Sequence, residues 1–444
     1  MFRRDLRRIR FALTSRMLWK RRMVFLLGAV AVGIASVVFA KMADSSQEVY
    51  VHLIRQAPYA LLLLTPLGFG LFAWATARYF PGAQGSGIPQ AIAARRSGSP
   101  AHRARLLSAK VTIGKIVLTC AGLAVGGSIG REGPTVQLGC AIMVAMAAFA
   151  GLGRANGLIL VGAAAGIAGA FNTPLAGVMF AIEEMAKSYD KRLSGLIASA
   201  VVISGMVSLT LVGQYSYFGT IPSEAFNPVG WNAVVFCAVV GGVGGAIFSR
   251  GLVGLSAARG RIMGPLKKRP FVFGALCGLV VAVLAIATDG FAGGSGYAPT
   301  RDLLEQGVTS PWWYAPVKLV TTLVSSASGI PGGLFSPSLS VGASVGAALA
   351  PFMPSMDVRA LAMLGMVGYF AGVVQAPLTA FVIVMEMTNE VHLVVPLLAT
   401  ALLGAGVSRL LAPEPLYHAL SFAYDPLPEE RPKPGDKAAD TKAP

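Results

Sequence analysis

Residues 126–139 read GGSIGREGPTVQLG, which sets an arginine beside a glutamate in an otherwise apolar, glycine-rich region. Between Leu106 and Met185 the only acidic residues are Glu132, Glu183 and Glu184. The chain of 444 residues is 55% hydrophobic and only 13% charged, with a mean hydropathy of +0.65. Soluble domains average about 25% charged residues. This composition places the chain in a bilayer and Glu132 at membrane depth, where an ionisable side chain marks function by default.

Outward from this stretch, apolar runs long enough to cross a membrane recur along the chain, from Met23–Ala40 and Ala57–Ala77 to Leu361–Met385 and Leu393–Leu411. Spanning needs roughly 20 residues at helical rise; several runs are shorter, or carry Gly and Pro inside them. The net charge of +17 does not indicate nucleic acid, because the basic residues flank the apolar runs. Residues 1–22 hold nine Lys or Arg and one Asp, Arg95–Arg105 is basic, and Arg250–Arg269 holds six more. That is the positive-inside pattern. The acidic stretch Asp44–Val49 reads as an outer loop, so the first two spans read as an outward-and-back hairpin with a cytoplasmic N-terminus; the chain is expected to be multi-pass in the cell (inner) membrane, with both termini cytoplasmic. The basic region and the long apolar run do not fit a cleaved signal peptide. The tail 425–444, charged and Pro-rich, reads as disordered, and no regulatory domain is expected after the membrane part. Cys120, Cys140, Cys237 and Cys277 lie in apolar runs without metal or disulfide spacing and read as packing residues. His52, His102, His392 and His418 read as ordinary polar residues, so no metal site is expected.

The chain also repeats itself at an offset of 203 residues. Lys115 falls on Lys318, Thr119 on Thr322, Gly126 on Gly329, Gly130 on Gly333, Pro134 on Pro337 and Gly139 on Gly342. Further on, Gly162 meets Gly365, Gly169 meets Gly372, Pro174 meets Pro377 and Glu183 meets Glu386. Two related membrane halves suggest a transporter fold with a midplane site at discontinuous helices. The sequence leaves open whether the halves are parallel or inverted.

Three boxes share one form: GSGIP (Gly85, Ser86, Gly87, Ile88, Pro89), GREGP (Gly130, Arg131, Glu132, Gly133, Pro134) and GGLFSP, whose last five residues are Gly333, Leu334, Phe335, Ser336 and Pro337. Glycine permits unusual backbone angles and close approach, and proline is tolerated in the first turn of a helix. Non-helical backbone at membrane depth survives only where it is buried in protein or lines a cavity. The boxes therefore predict half-helix starts whose free N–H groups favour an anion. A phosphate loop is excluded, since the Lys-Ser/Thr pair it requires is missing.

These boxes, with AGAFNTPLAGVMFAIEEM and the late PLY, resemble the CLC family of chloride channels and chloride/proton antiporters, over about residues 23–420. The resemblance implies an all-α polytopic membrane protein with two inverted-topology repeats, about 60–213 and 270–412, whose broken helices meet at a midplane anion site. It implies a homodimer with one pathway per subunit, chloride and protons as substrates, and no cofactor or nucleic acid. It assigns chloride binding to Ser86, Tyr417 and the amides of Leu334 and Phe335. Glu132 becomes the gating and outer proton glutamate, a tethered anion that vacates the site when protonated. Glu184 becomes the inner proton acceptor that channel members usually lack, while Glu183, shared with its repeat mate Glu386, reads as structural. Arg131 reads as scaffold or electrostatic support.

Some positions depart from the family's pattern. Gln90 and Ile92 stand where many relatives carry an acid after the first box, which leaves Lys115 without the expected acidic neighbour. Ser86 and Tyr417 match the chloride type rather than a fluoride- or nitrate-preferring member. A passive chloride-selective channel is the alternative within transport. A membrane-embedded enzyme would need a nucleophile, metal ligands or a cofactor box, and none is present beyond Glu132 and Glu184.

Overall fold

Apolar runs form helix here, and several stop at a residue of left-handed conformation. The computed structural model describes residues 16–97, 99–151, 155–186, 191–213, 217–219, 230–257 and 263–426. Most of the basic N-terminal segment 1–22 and of the tail 425–444 lies outside these residues. In the first half the helices are α1 (Arg16–Gln56), α2 (Leu61–Tyr79), α3 (Ile88–Ser97), α4 (Pro100–Leu106), α5 (Ala109–Ala124), α6 (Glu132–Phe149), α7 (Ala155–Phe171), α8 (Pro174–Phe180) with a π-turn at Ala181–Ala186, and α9 (Lys191–Val212). The second half follows with α10 (Trp231–Ala257), α11 (Met263–Lys267), α12 (Pro270–Ala287), α13 (Tyr297–Gln306), α14 (Tyr314–Ala327), α15 (Phe335–Ala347), α16 (Val358–Val374), α17 (Pro377–Thr388), α18 (Val394–Leu411) and α19 (Leu416–Ser421). Nine helical segments among the described residues are long and apolar enough to cross a membrane. At 1.5 Å per residue the 10 residues of α3 reach only about 15 Å, half of a hydrocarbon core of about 30 Å.

One expectation is corrected. Asp44–Val49 is not a loop, because α1 continues unbroken through Gln56. No Gly or Pro falls between Gly33 and Pro58 to stop it. Ala43 and Tyr50 are buried on its inner face, and the Tyr50 hydroxyl donates to the Gly290 carbonyl at 2.9 Å. The chain turns instead at Pro58–Ala60, where proline starts a short 3₁₀ turn leading into α2.

The two halves are built alike. α6 packs along α7 as α15 packs along α16, and α9 crosses α7 as α18 crosses α16. α7 ends with Asn172 at φ 57° and α16 with Gln375 at φ 57°, each followed two residues later by the proline that opens the next helix. α8 and α17 pack against each other. Glu183, after α8, accepts from the Leu378 and Thr379 amides at 3.1 and 2.7 Å. Glu386, in α17, accepts from the Leu175 and Ala176 amides at 3.0 and 2.7 Å. Each carboxylate thus satisfies first-turn N–H groups that have no intrahelical acceptor. Because the C-terminal end of each helix reaches the start of the other, the pair is antiparallel, and the exchange is two-fold symmetric. The axis relates two halves of opposite direction, so the repeats are inverted.

A candidate anion and proton site between the repeats

The three boxes meet near that axis. Gly130 and Gly333, repeat mates, exchange N–H···O bonds of 2.8 and 2.7 Å. Gly85 donates to the Ile330 carbonyl and accepts from Gly332, both at 3.1 Å. The first and second boxes touch so closely that side chains are excluded. A Cβ on Gly87 (φ 108°) would lie 2.7 Å from the Gly133 carbonyl, and one on Gly133 would overlap Ser86 Oγ. α3 begins at Ile88, α6 at Glu132 and α15 at Phe335, so Pro89, Pro134 and Pro337 all fall in first turns, as expected. Lys115 finds its partner in the Gly85 carbonyl, 2.9 Å from Nζ. Its mate Lys318 donates to the carbonyls of Ala292, Gly293 and Gly294 at 3.2, 2.9 and 2.6 Å. These bonds meet the requirement that a buried amine be hydrogen-bonded, with carbonyls standing in for the acid the family pattern suggests.

Glu132 is fully buried, and its carboxylate lies at the start of α15. Oε1 accepts from the Ser336 hydroxyl, Oε2 has no hydrogen-bond partner, and the backbone N–H groups of Glu132 and Ser336 face the carboxylate. Arg131 turns away from its neighbour. Its guanidinium donates to the Ala40 carbonyl at 2.7 Å and to Asp44 at 2.5 Å, and it lies 5.6 Å over the Tyr217 ring. The Asp44 side chain is 64% exposed. The Arg131 side chain is only 8% exposed, so Asp44 supplies a counter-charge, from the solvent side, to a cation that would otherwise be buried unpaired.

Ser86 and Tyr417 are buried and face one another, yet neither hydroxyl makes a hydrogen bond of ordinary geometry. Two buried donors without an acceptor, beside the N-terminus of α15, suit a small anion. The Phe335 ring packs 6.1 Å from Tyr417 and 4.7 Å from Phe370. Glu184, in the π-turn, is 3% exposed and close to Tyr417; its backbone carbonyl lies 3.2 Å from His418 Nε2.

A cavity opens on each side of this constriction. One, of about 130 Å³, is lined by Lys41, Asp44, Arg131, Tyr217 and Tyr297. The other, of about 550 Å³, is lined by Ser86, Leu334, Lys267 and Tyr424 among others. Burial at its rim lowers the Lys267 pKa from the ordinary lysine value, and the amine donates to the Leu255 and Ser256 carbonyls. Sequence reasoning missed Tyr217, whose hydroxyl lies 3.3 Å from Ser336 Oγ, and Asp44 as the partner of Arg131. Neither stands in a motif. The serine inside the third box was the one available signal for a hydroxyl aimed at Glu132.

Residues 68–409 match the family described as voltage gated chloride channel. The H(+)/Cl(-) exchange transporter ClcA of Yersinia pseudotuberculosis serotype IB (strain PB1/+) is 30% identical over 432 residues, covering 90% of this chain and 88% of that protein. The ClcA of Salmonella paratyphi B (strain ATCC BAA-1250 / SPB7) is 30% identical over 420 residues, covering 89% and 88%. In fold, the chain resembles the crystal structure of a slow cyanobacterial Cl-/H+ antiporter, with TM-score 0.77, 24% identity and coverage of 90% of this chain and 97% of that one. It also resembles a CLC-type fluoride/proton antiporter, with TM-score 0.76, 21% identity and coverage of 92% and 99%. With the match running through both repeats, the chain belongs to the voltage gated chloride channel (CLC) family.

Proposed function

We propose that the protein exchanges chloride for protons across a membrane, with Glu132 as the gate and outer proton carrier and Glu184 as the inner proton acceptor. The observation that carries the reading is the position of the Glu132 carboxylate. It lies against the first turn of α15 between two cavities, where an anion crossing from one to the other would lie. Ionised, the carboxylate occupies the helix-end amides as a tethered substitute for chloride. Protonated, it loses that attraction and yields the site, so chloride and proton compete through one side chain. Ser86, Tyr417 and the Leu334 and Phe335 amides hold chloride on the Lys267 side. The buried Glu184 beside Tyr417 gives protons a separate entry, off the chloride path. The basic residues Arg95, Arg96, Arg105 and Lys267 support reading the Ser86 side as cytoplasmic and the Asp44 side as outer. We further propose a homodimer with one pathway per subunit, no required cofactor, and repeats of about 60–213 and 270–412 within a membrane domain of 23–420.

The test is reconstitution into liposomes with chloride flux and proton movement recorded together. The reading predicts that an imposed chloride gradient drives protons uphill. Chloride flux that leaves external pH unchanged would reject it in favour of a passive channel.

A further inference from the structure

Glu132 does not reach the outer cavity directly. The cavity is lined by Arg131 and Tyr217, whereas Glu132 is fully buried and Ser336 is 2% exposed. Between water and carboxylate stand two hydroxyls in series. Tyr217 Oη lies 3.3 Å from Ser336 Oγ, and Ser336 Oγ donates to Glu132 Oε1. We propose that Tyr217 and Ser336 form a hydroxyl relay that carries the proton between the outer cavity and Glu132. The inference rests on the antiport reading and names the outer half of its proton route.

The relay is rigidly built. The Tyr217 ring makes edge contacts with Phe171 at 5.2 Å, Phe218 at 4.9 Å and Tyr297 at 4.9 Å, and Arg131 covers it. The Phe218 amide ties this segment to the Met387 carbonyl at 3.0 Å. The phenol therefore keeps its place while its O–H rotates. The charged and titratable groups around it are Lys41 and Asp44 from α1, Arg131, and Tyr297 from α13, with Tyr417 beyond Glu132. The cationic Arg131 disfavours a hydronium resting in the buried gap, which a chain of neutral hydroxyls avoids.

Each step conserves protons. A hydronium in the outer cavity gives one proton to Tyr217 Oη as the phenol proton passes to Ser336 Oγ and the serine proton passes to Glu132 Oε1. The hydronium becomes water, both hydroxyls end neutral with one hydrogen each, and the carboxylate becomes a carboxylic acid. The reverse sequence discharges it. Neither phenolate nor alkoxide accumulates, and the observed Ser336-to-Glu132 bond already points in the loading direction.

The experiment uses the full chain in liposomes, where the wild type is first shown to drive protons uphill. Tyr217→Phe removes only the hydroxyl and keeps the ring contacts; Ser336→Ala removes the second link and Ser336→Thr retains it. Loss of one proton-transfer partner is expected to slow chloride-driven proton transport by about tenfold or more in Tyr217→Phe and Ser336→Ala, with Ser336→Thr close to wild type. In a double-mutant cycle with Glu132→Gln, read as chloride flux, the Tyr217→Phe slowing is expected to vanish, because the relay serves only Glu132. Proton transport at the wild-type rate in Tyr217→Phe overturns the relay, and so does a slowing that persists beside Glu132→Gln. Should Tyr217→Phe not yield folded protein, the Ser336→Ala and Ser336→Thr pair decides by the same readout. A wild type that moves no protons overturns the antiport reading and the relay with it. A coupled wild type with an unaffected Tyr217→Phe overturns the relay alone.

Discussion

Glu183 and Glu386 cap each other's helices: each carboxylate closes the first turn that belongs to the other's repeat. The exchange ties the repeats together and commits Glu183 to amides. Charged caps of this kind are worth about 1–2 kcal/mol. Glu183→Ala is therefore expected to lower the thermal unfolding midpoint in detergent while proton coupling persists. Loss of coupling in a stably folded Glu183→Ala would move the inner acceptor role to Glu183.

Glu184, one residue on, is buried beside Tyr417. Glu184→Gln keeps shape and hydrogen bonding but cannot take up a proton. Chloride movement is expected to continue while chloride-driven proton transport falls to background. Intact coupling in this variant, measured on the same vesicles, contradicts the assignment.

Ser86 presents a buried hydroxyl without a partner, a donor suited to a small, strongly hydrated anion. Ser86→Pro removes it and is expected to shift preference from chloride toward nitrate. An unchanged chloride-to-nitrate ratio in competition flux would show that this box does not set selectivity.

Much of this architecture is legible in the chain because it depends on backbone. Gly87 and Gly133 must be glycine where two boxes touch, and Pro89, Pro134 and Pro337 must sit in first turns, so spacing alone exposes them. The repeat is legible for the same reason, since Pro174 and Pro377 break helices at matched positions. The Arg131–Asp44 pair and the Tyr217–Ser336 contact join residues far apart in sequence through side chains alone, and no local pattern announces them. Asp44 misled for a physical reason. Acidic residues near the end of a span suggest a loop, but a helix exposes one face to solvent and carries Asp44 there while Ala43 and Tyr50 stay buried.

The central claim is that Glu132 is both the gate and the outer proton carrier, and Glu132→Gln tests it most directly. Glutamine is nearly isosteric with protonated Glu and mimics the displaced state at every pH. Wild-type exchange is expected to speed up as pH falls, because only the protonated carboxylate yields the anion site. In Glu132→Gln that dependence should disappear, because no titrating group remains at the gate. Chloride should bind at least as well, the tethered competitor being gone. The measurement is chloride-driven proton transport by folded Glu132→Gln in liposomes, beside its chloride flux across a pH series. The account predicts no proton transport and a chloride flux nearly independent of pH; retained proton transport would contradict it.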